Sequence, residues 1–239
     1  MSTPLTQTYF TPAQLDPMDM GPFTDIYQSI ANKVSDTEYP CVGAKAALNS
    51  SQLRIGIYGK MATAASTEQL GSDLKHYIKE TLAANSEYMT MIAVFTEEGP
   101  ATELEFEEKL WAQLQLLHNS DDNPHPWDPD VSSNPQDSNF SFSYNKTAFF
   151  VVGLHPNASR KARRLGYTAM AFNLHRQFEQ LREKGVYGNM KKVIRERDVA
   201  YDGSINPMLN DFGEGLEAPQ YSGRHVDSSW KCPFLAGKL

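Results

Sequence analysis

The run Ala148-Phe149-Phe150-Val151-Val152-Gly153-Leu154 contains no polar side chain. A strand of that composition has to be covered on both faces, which places it at the centre of a sheet with other elements packed above and below. His155-Pro156 ends the run, so a strand is predicted over 147–154. Asn145-Lys146 in front of it reads as a tight turn back to a partner strand over 140–144. Further strands are predicted over 53–58, where Leu, Ile and Ile alternate with Arg, Gly and Tyr, over 88–95 and over 167–172.

Helical spacing fills the intervals. A first helix over 23–34 is broken at Tyr39-Pro40-Cys41, because proline disfavours helix in the residue before it. Ser66 with Gln69 makes a capping box ahead of Leu70, Leu74, Tyr77 and Ile78. Thr102 with Glu105 makes another ahead of Phe106, Leu110, Trp111, Leu114 and Leu117. A short basic helix over 158–165 stops at Gly166; Leu174, Phe178 and Leu181 mark a helix, and Met190, Val193 and Ile194 a second. The expectation is an α/β (α+β) chain, one domain over 1–239. It has a mixed central sheet flanked by helices, a loosely ordered stretch over 1–22 and a long irregular segment beyond Tyr201. The polar stretch 119–139 is long enough to serve as a lid.

A formal charge of −7 argues against a nucleic-acid surface, which needs a concentrated basic field. The two cysteines, Cys41 and Cys232, form no repeated spacing and are expected as free thiols. The opening MSTPLTQTYF lacks a basic region followed by an apolar run, and no later stretch is apolar enough to span a bilayer; both point to a cytoplasmic protein without a membrane partner. No dinucleotide fingerprint, phosphate loop or serine-nucleophile elbow is present.

Several residues could carry chemistry. His155 stands at the end of the apolar strand, a common position for site residues, and can equally serve as a core histidine. Ser159, Arg160, Arg163 and Arg164 open the short basic helix, where backbone donors and guanidinium forks suit carboxylates or phosphates; a solvated basic face is the alternative. His175 borders the buried face of its helix as a ligand, a proton relay or a structural side chain. Cys232 lies in Trp230-Lys231-Cys232-Pro233-Phe234, where aromatic rings could shelter a thiolate and Lys231 could stabilise it. Cys41, before Val42-Gly43-Ala44-Lys45, has a weaker version of the same surroundings, and a buried inert thiol is the alternative for both. Glu214 and Glu217 offer carboxylates of the kind that pair bidentately with a guanidinium, or are exposed loop acids. His118, Asp121, Asp122 and His125 look like a metal cluster, but so polar and proline-interrupted a loop makes coincidence the better explanation.

Motifs in order along the chain resemble the YqcI/YcgG family of heme-dependent guanidine N-hydroxylases. They are Pro40-Cys41, the Arg54 strand, Leu110-Trp111-Ala112-Gln113-Leu114-Gln115, Phe140-Ser141-Phe142-Ser143 and Gly153-Leu154-His155-Pro156 with Ser159-Arg160. Further along stand Phe172-Asn173 with His175 and Gln177-Phe178-Glu179, Asn206-Pro207-Met208-Leu209, Gln220-Tyr221-Ser222-Gly223-Arg224 and Trp230-Lys231-Cys232-Pro233-Phe234. Leu216 departs from the pattern, where a serine is expected. The resemblance implies heme b as cofactor, dioxygen as co-substrate, arginine or a related guanidine as substrate and an external electron donor, and leaves a homodimer open. It implies heme contacts from His155, Ser159, Arg160, Arg163, Lys45 and Arg224, and reacting or substrate-holding roles for Glu217, Glu214 and His175. Four residues stand as iron ligands: His155 first, Cys232 close behind on the chemistry of thiolates, then His175 and Cys41. A non-catalytic heme or small-ligand sensor, and a non-heme iron site of His and Glu, are the competing readings.

Overall fold

The computed structural model describes residues 7–15, 22–121, 127–208 and 212–237. In chain order, β1 (Tyr9–Phe10) leads into α1 (Pro12–Leu15), α2 (Pro22–Ser35) and α3 (Val42–Asn49). β2 (Leu53–Tyr58), α4 (Ala64–Ala84), β3 (Thr90–Phe95) and α5 (Glu103–Ser120) follow. The strands β4 (Phe142–Tyr144), β5 (Thr147–Leu154) and β6 (Thr168–Leu174) precede α6 (His175–Glu183), α7 (Tyr187–Asp202) and α8 (Ala218–Ser222). The fold is mixed α/β, as the sequence led one to expect. One sheet runs β1-β2-β3-β6-β5-β4, with β2 and β3 parallel and the other pairs antiparallel. The parallel pair is the one joined by a helix, α4, because a parallel return needs a crossover; β4 and β5 need only Asn145 and Lys146, both at positive φ.

The pleat sends alternate side chains of every strand to opposite faces. On one face Met91, Phe149, Val151 and Phe172 are buried under Leu74 and Tyr77 of α4, Leu110 and Leu114 of α5, and Tyr221 and Phe234 of the C-terminal segment. On the other, Leu53, Ile55, Ile57 and Val94 are buried under Phe10, Leu15, Ile26 and Ile30. That second cover thins beyond β3, where only Leu154 of β5 and Ala169 of β6 are still buried in it. Beyond it Phe150, Val152, Ala171 and Asn173 are only half-buried, although the first two lie on the strand whose composition marks it as central and covered on both faces.

β4 is short and pairs only with the first part of β5, Thr147 to Phe149. α8 lies along the remainder of β5, where Gly153 makes the close approach: a Cβ there would sit 2.5 Å from Phe106 Cε1 and 2.8 Å from the Tyr221 carbonyl. Arg163 fastens the junction, donating to the carbonyls of Gly153, Gln220 and Tyr221 at 2.9–3.3 Å. Gly153→Ala is expected to cost about 2 kcal/mol through overpacking against backbone that cannot yield. Denaturant unfolding at an unchanged m-value checks it; a wild-type midpoint would mean that α8 shifts freely.

Two local expectations are corrected, and two elements stand where none is predicted. The helix over 158–165 is a single 3-10 turn, Lys161–Arg163, because distant carboxylates take its backbone donors: Glu103 accepts from Ser159, and Asp202 from Lys161 and Ala162. The cap of α4 is Thr63, whose hydroxyl accepts the Ser66 N–H, one turn ahead of the expected box. α3, which the sequence reading left unassigned, follows Pro40-Cys41 directly. Within the stretch read as loosely ordered, Tyr9 and Phe10 pair with Gly56 and Ile55, and the Tyr9 hydroxyl donates to Glu80 at 2.7 Å. The cap of α5 is Thr102, as expected.

In the stretch 119–139, Asp121 accepts from the Asn145 N–H and Asp128 from the Ala148 N–H, which ties the described part to the β4–β5 hairpin. Asp122 and His125 lie outside the described residues, and among the described residues no three His, Cys, Asp or Glu side chains gather to hold a bare metal ion. No helix among them is long and apolar enough to cross a membrane.

Candidate active site

The half-buried side chains of β5 and β6 form the wall of a cavity of about 290 Å³. Ile30 and Val34 of α2, the Tyr39–Ala44 segment, α6, α7 and the residues around Phe212 and Glu217 complete it. A predominantly apolar wall with few polar groups set into it is the usual character of a small-molecule site. Its polar groups come from separate parts of the chain: Cys41, Arg160, Arg163, His175, Arg182 and Glu217 all line it.

Glu217 precedes the five-residue helix α8 and is 4% exposed. Its Oε1 accepts from the hydroxyls of Tyr221 at 2.5 Å and Ser141 at 2.9 Å. No Lys or Arg of the described residues lies within ion-pair distance of it. Burial therefore dominates and pushes its pKa up to about 7, against the two hydroxyl donors and the more remote Arg182, which pull it down. The result is a carboxyl on an apolar wall without a cationic partner.

His175 opens α6, with Nε2 3.2 Å from Glu179 Oε1 and its ring 4.3 Å from that of Phe212. Burial lowers its pKa, with Glu179 opposing, so near neutrality the ring is an uncharged donor or ligand. Cys41 caps α3: its Sγ accepts the Ala44 N–H at 3.4 Å. Burial raises the thiol's pKa, while the N–H groups of Ala44 and Gly43 and the charge of Arg163 pull it down. Arg163, 9% exposed, is brought down to about 10 by burial, with Tyr39 and Cys41 the nearest groups opposing.

The other candidates lie elsewhere. His155 follows β5 as expected, but it is 1% exposed, stacked on Phe106 at 4.4 Å between ring centres, and does not line the cavity. Its Nδ1 has no hydrogen-bond partner among the described residues. Cys232 is packed in the opposite core with Phe234, where burial drives its pKa up to about 12. Ser159 is held by Glu103, which occupies the donors suggested for an outside anion. Arg160, which does reach the cavity, is paired with Asp198 at 2.9 Å. Lys45 donates to the Thr37 carbonyl, Arg224 is forked on Glu107, Glu214 is exposed, and Leu216 is half-buried off the cavity wall. Phe150, Asn173, Arg182 and Tyr187 were not read as site residues. Asn173, a polar residue inside an apolar strand, was the one signal among them.

Similarity to known proteins extends over most of the chain. The YqcI/YcgG family model matches residues 30–235. The Bacillus subtilis protein YqcI is 30% identical over 225 residues, 90% of this chain and 88% of the relative. The Bacillus subtilis protein YcgG is 27% identical over 82% of this chain and 80% of its own length. A Streptomyces lavendulae protein named "Putative N(omega)-hydroxy-L-arginine synthase DcsA" is 25% identical over 88% of this chain and 83% of its own. No solved structure matches.

Proposed function

The chain belongs to the YqcI/YcgG family, and on that footing we propose that it N-hydroxylates the guanidine group of arginine or a related guanidine compound, with heme as cofactor. The single observation that carries the substrate class is Glu217. A buried carboxyl lacking a cation, with Oε2 left over from its two hydroxyl contacts, is the complement of a planar guanidinium. The relative named as a hydroxyarginine synthase agrees with that substrate class.

The cavity's side chains fit a heme. Phe150, Val152, Ala171 and Ile92 offer an apolar surface to a macrocycle; Arg160, Arg164 and Arg182 line the cavity as cations that propionates would have to share with Asp198, the Ala158 and Ser159 carbonyls, and Glu179; Cys41 and His175 are donors suited to iron. A bound heme would supply reductive activation of dioxygen: one oxygen atom enters the N–H bond, the other leaves as water, and two electrons and two protons come from an external donor and solvent. The protein's own share is positional. Glu217 holds the guanidinium, the Tyr221 and Ser141 hydroxyls orient that carboxyl, and the apolar wall excludes water that would weaken the ion pair.

The test is direct. Protein reconstituted with hemin and supplied with arginine, dioxygen and a chemical reductant is expected to form hydroxyarginine, identified by mass spectrometry. Heme binding without product for any guanidine offered would leave a ligand-binding protein in place of an enzyme.

A further inference from the structure

Two observations converge on one wall of the cavity. The first is the setting of Cys41. It sits at the N-cap of α3, a helix of eight residues, with Sγ accepting the Ala44 N–H, and it lines the cavity together with Pro40, Gly43 and Ala44. N–H groups aimed at sulfur and the positive end of a helix both favour a negative sulfur there.

The second is Arg163, on a different element. The residue is nine-tenths buried and lines the same cavity. Among the described residues its guanidinium donates to the carbonyls of Gly153, Gln220 and Tyr221, and no carboxylate lies within 4 Å of it. A buried cation bonded to neutral acceptors alone lacks a counter-charge, and an anion on the adjoining wall would supply one.

We infer that Cys41 is the axial thiolate ligand of the iron when heme occupies this cavity. The inference rests on the heme reading given above and selects among its four candidate ligands. Ligation would release the thiol proton to solvent as the sulfur–iron bond forms, leaving a negative sulfur in the cavity that Arg163 also lines. His175 lines the same cavity but is engaged with Glu179; His155 and Cys232 do not reach it. A thiolate also pushes electron density toward iron and favours O–O cleavage, the step that an N-hydroxylation requires.

The experiment is the absorption spectrum of the hemin-reconstituted full chain, reduced and exposed to carbon monoxide. Thiolate-ligated heme carries its ferrous–carbonyl Soret band well to the red of the position given by imidazole. Wild type, Cys232→Ala and His155→Ala are expected to show the red-shifted band. Cys41→Ser is expected to lose it while keeping the wild-type far-ultraviolet circular dichroism. With only two cysteines in the chain, a thiolate-type spectrum that survives Cys232→Ala assigns the ligand even if the Cys41 variant does not fold. A band at the imidazole position in wild type, or a red-shifted band that persists in Cys41→Ser or vanishes in Cys232→Ala, overturns the inference and leaves the heme reading standing. Wild-type protein that takes up no hemin overturns both.

Discussion

Glu217→Gln should weaken arginine binding to the reconstituted protein by about 10- to 150-fold, the value of a charge-assisted hydrogen bond lost from a buried site. The amide keeps the shape and can still accept from the Tyr221 and Ser141 hydroxyls, so the fold is expected to survive. The pH dependence follows from the carboxyl's pKa of about 7. Arginine's guanidinium stays charged throughout the accessible range, so affinity should rise as pH climbs through 7 and level off above it. Stability of the ligand-free protein should move the other way. A carboxyl whose pKa is raised on folding contributes fully below its unfolded value near 4.5, and that contribution is lost as pH rises through about 7. Its ionisation then costs on the order of 3 kcal/mol, which a bound guanidinium offsets. Calorimetric titration with arginine on either side of neutrality reads the first effect, and thermal melts with and without arginine read the second. In the glutamine variant both pH effects should flatten. A variant that binds arginine as wild type does would remove Glu217 from the substrate site.

Glu107→Ala should destabilise the protein by about 3 kcal/mol, the lower part of the range for breaking a buried ion pair, because Arg224 is partly exposed. Glu107 lies on α5, 5% exposed, and accepts from the Ser222 hydroxyl, from Nε and a terminal nitrogen of Arg224, and from Trp230 Nε1, at 2.7–3.1 Å. Through these hydrogen bonds Glu107 ties α5 to three separate points of the C-terminal segment, Ser222, Arg224 and Trp230. Its loss should release 222–230 from the helix, and with them the support of α8 and Glu217. Amide exchange in 218–234 is therefore expected to quicken far more than in β3 or β6. Glu107→Gln should fall between the two, since it retains an acceptor. Uniform exchange across the chain in the alanine variant would show that the C-terminal segment does not depend on this anchor.

The legible part of the fold lay where local chemistry is unambiguous. Strand 53–58 follows from alternating apolar residues, strand 147–154 from an apolar run between a turn and His155-Pro156, and α5 from Thr102 and five apolar residues on one face. Expectation failed where a distant group intervened. The basic segment 158–165 has helix-compatible residues, yet Glu103 and Asp202 hold its N–H groups outside a helix. Of the candidate site residues, Cys41, Arg160, Arg163, His175 and Glu217 line one cavity, while His155, Cys232, Ser159, Lys45, Glu214 and Arg224 do not. A histidine ending an apolar strand reads the same in sequence whether it meets a ligand or, as here, the ring of Phe106.

Side-chain period and turn chemistry are properties of neighbours along the chain, so most of the elements and the mixed α/β class could be read residue by residue, whereas β5, read as central, stands next to the sheet edge. Which face of that strand meets protein and which meets empty space could not, because Phe149 and Phe150 are the same residue type one position apart. One lies under the helices and the other on the cavity wall. That difference arises because the cover of α1 and α2 thins beyond β3 and α8 lies along β5 past the end of β4. It brings a thiol from near residue 40 and a carboxyl from near residue 217 to one cavity, a meeting set by long-range packing that no local pattern encodes.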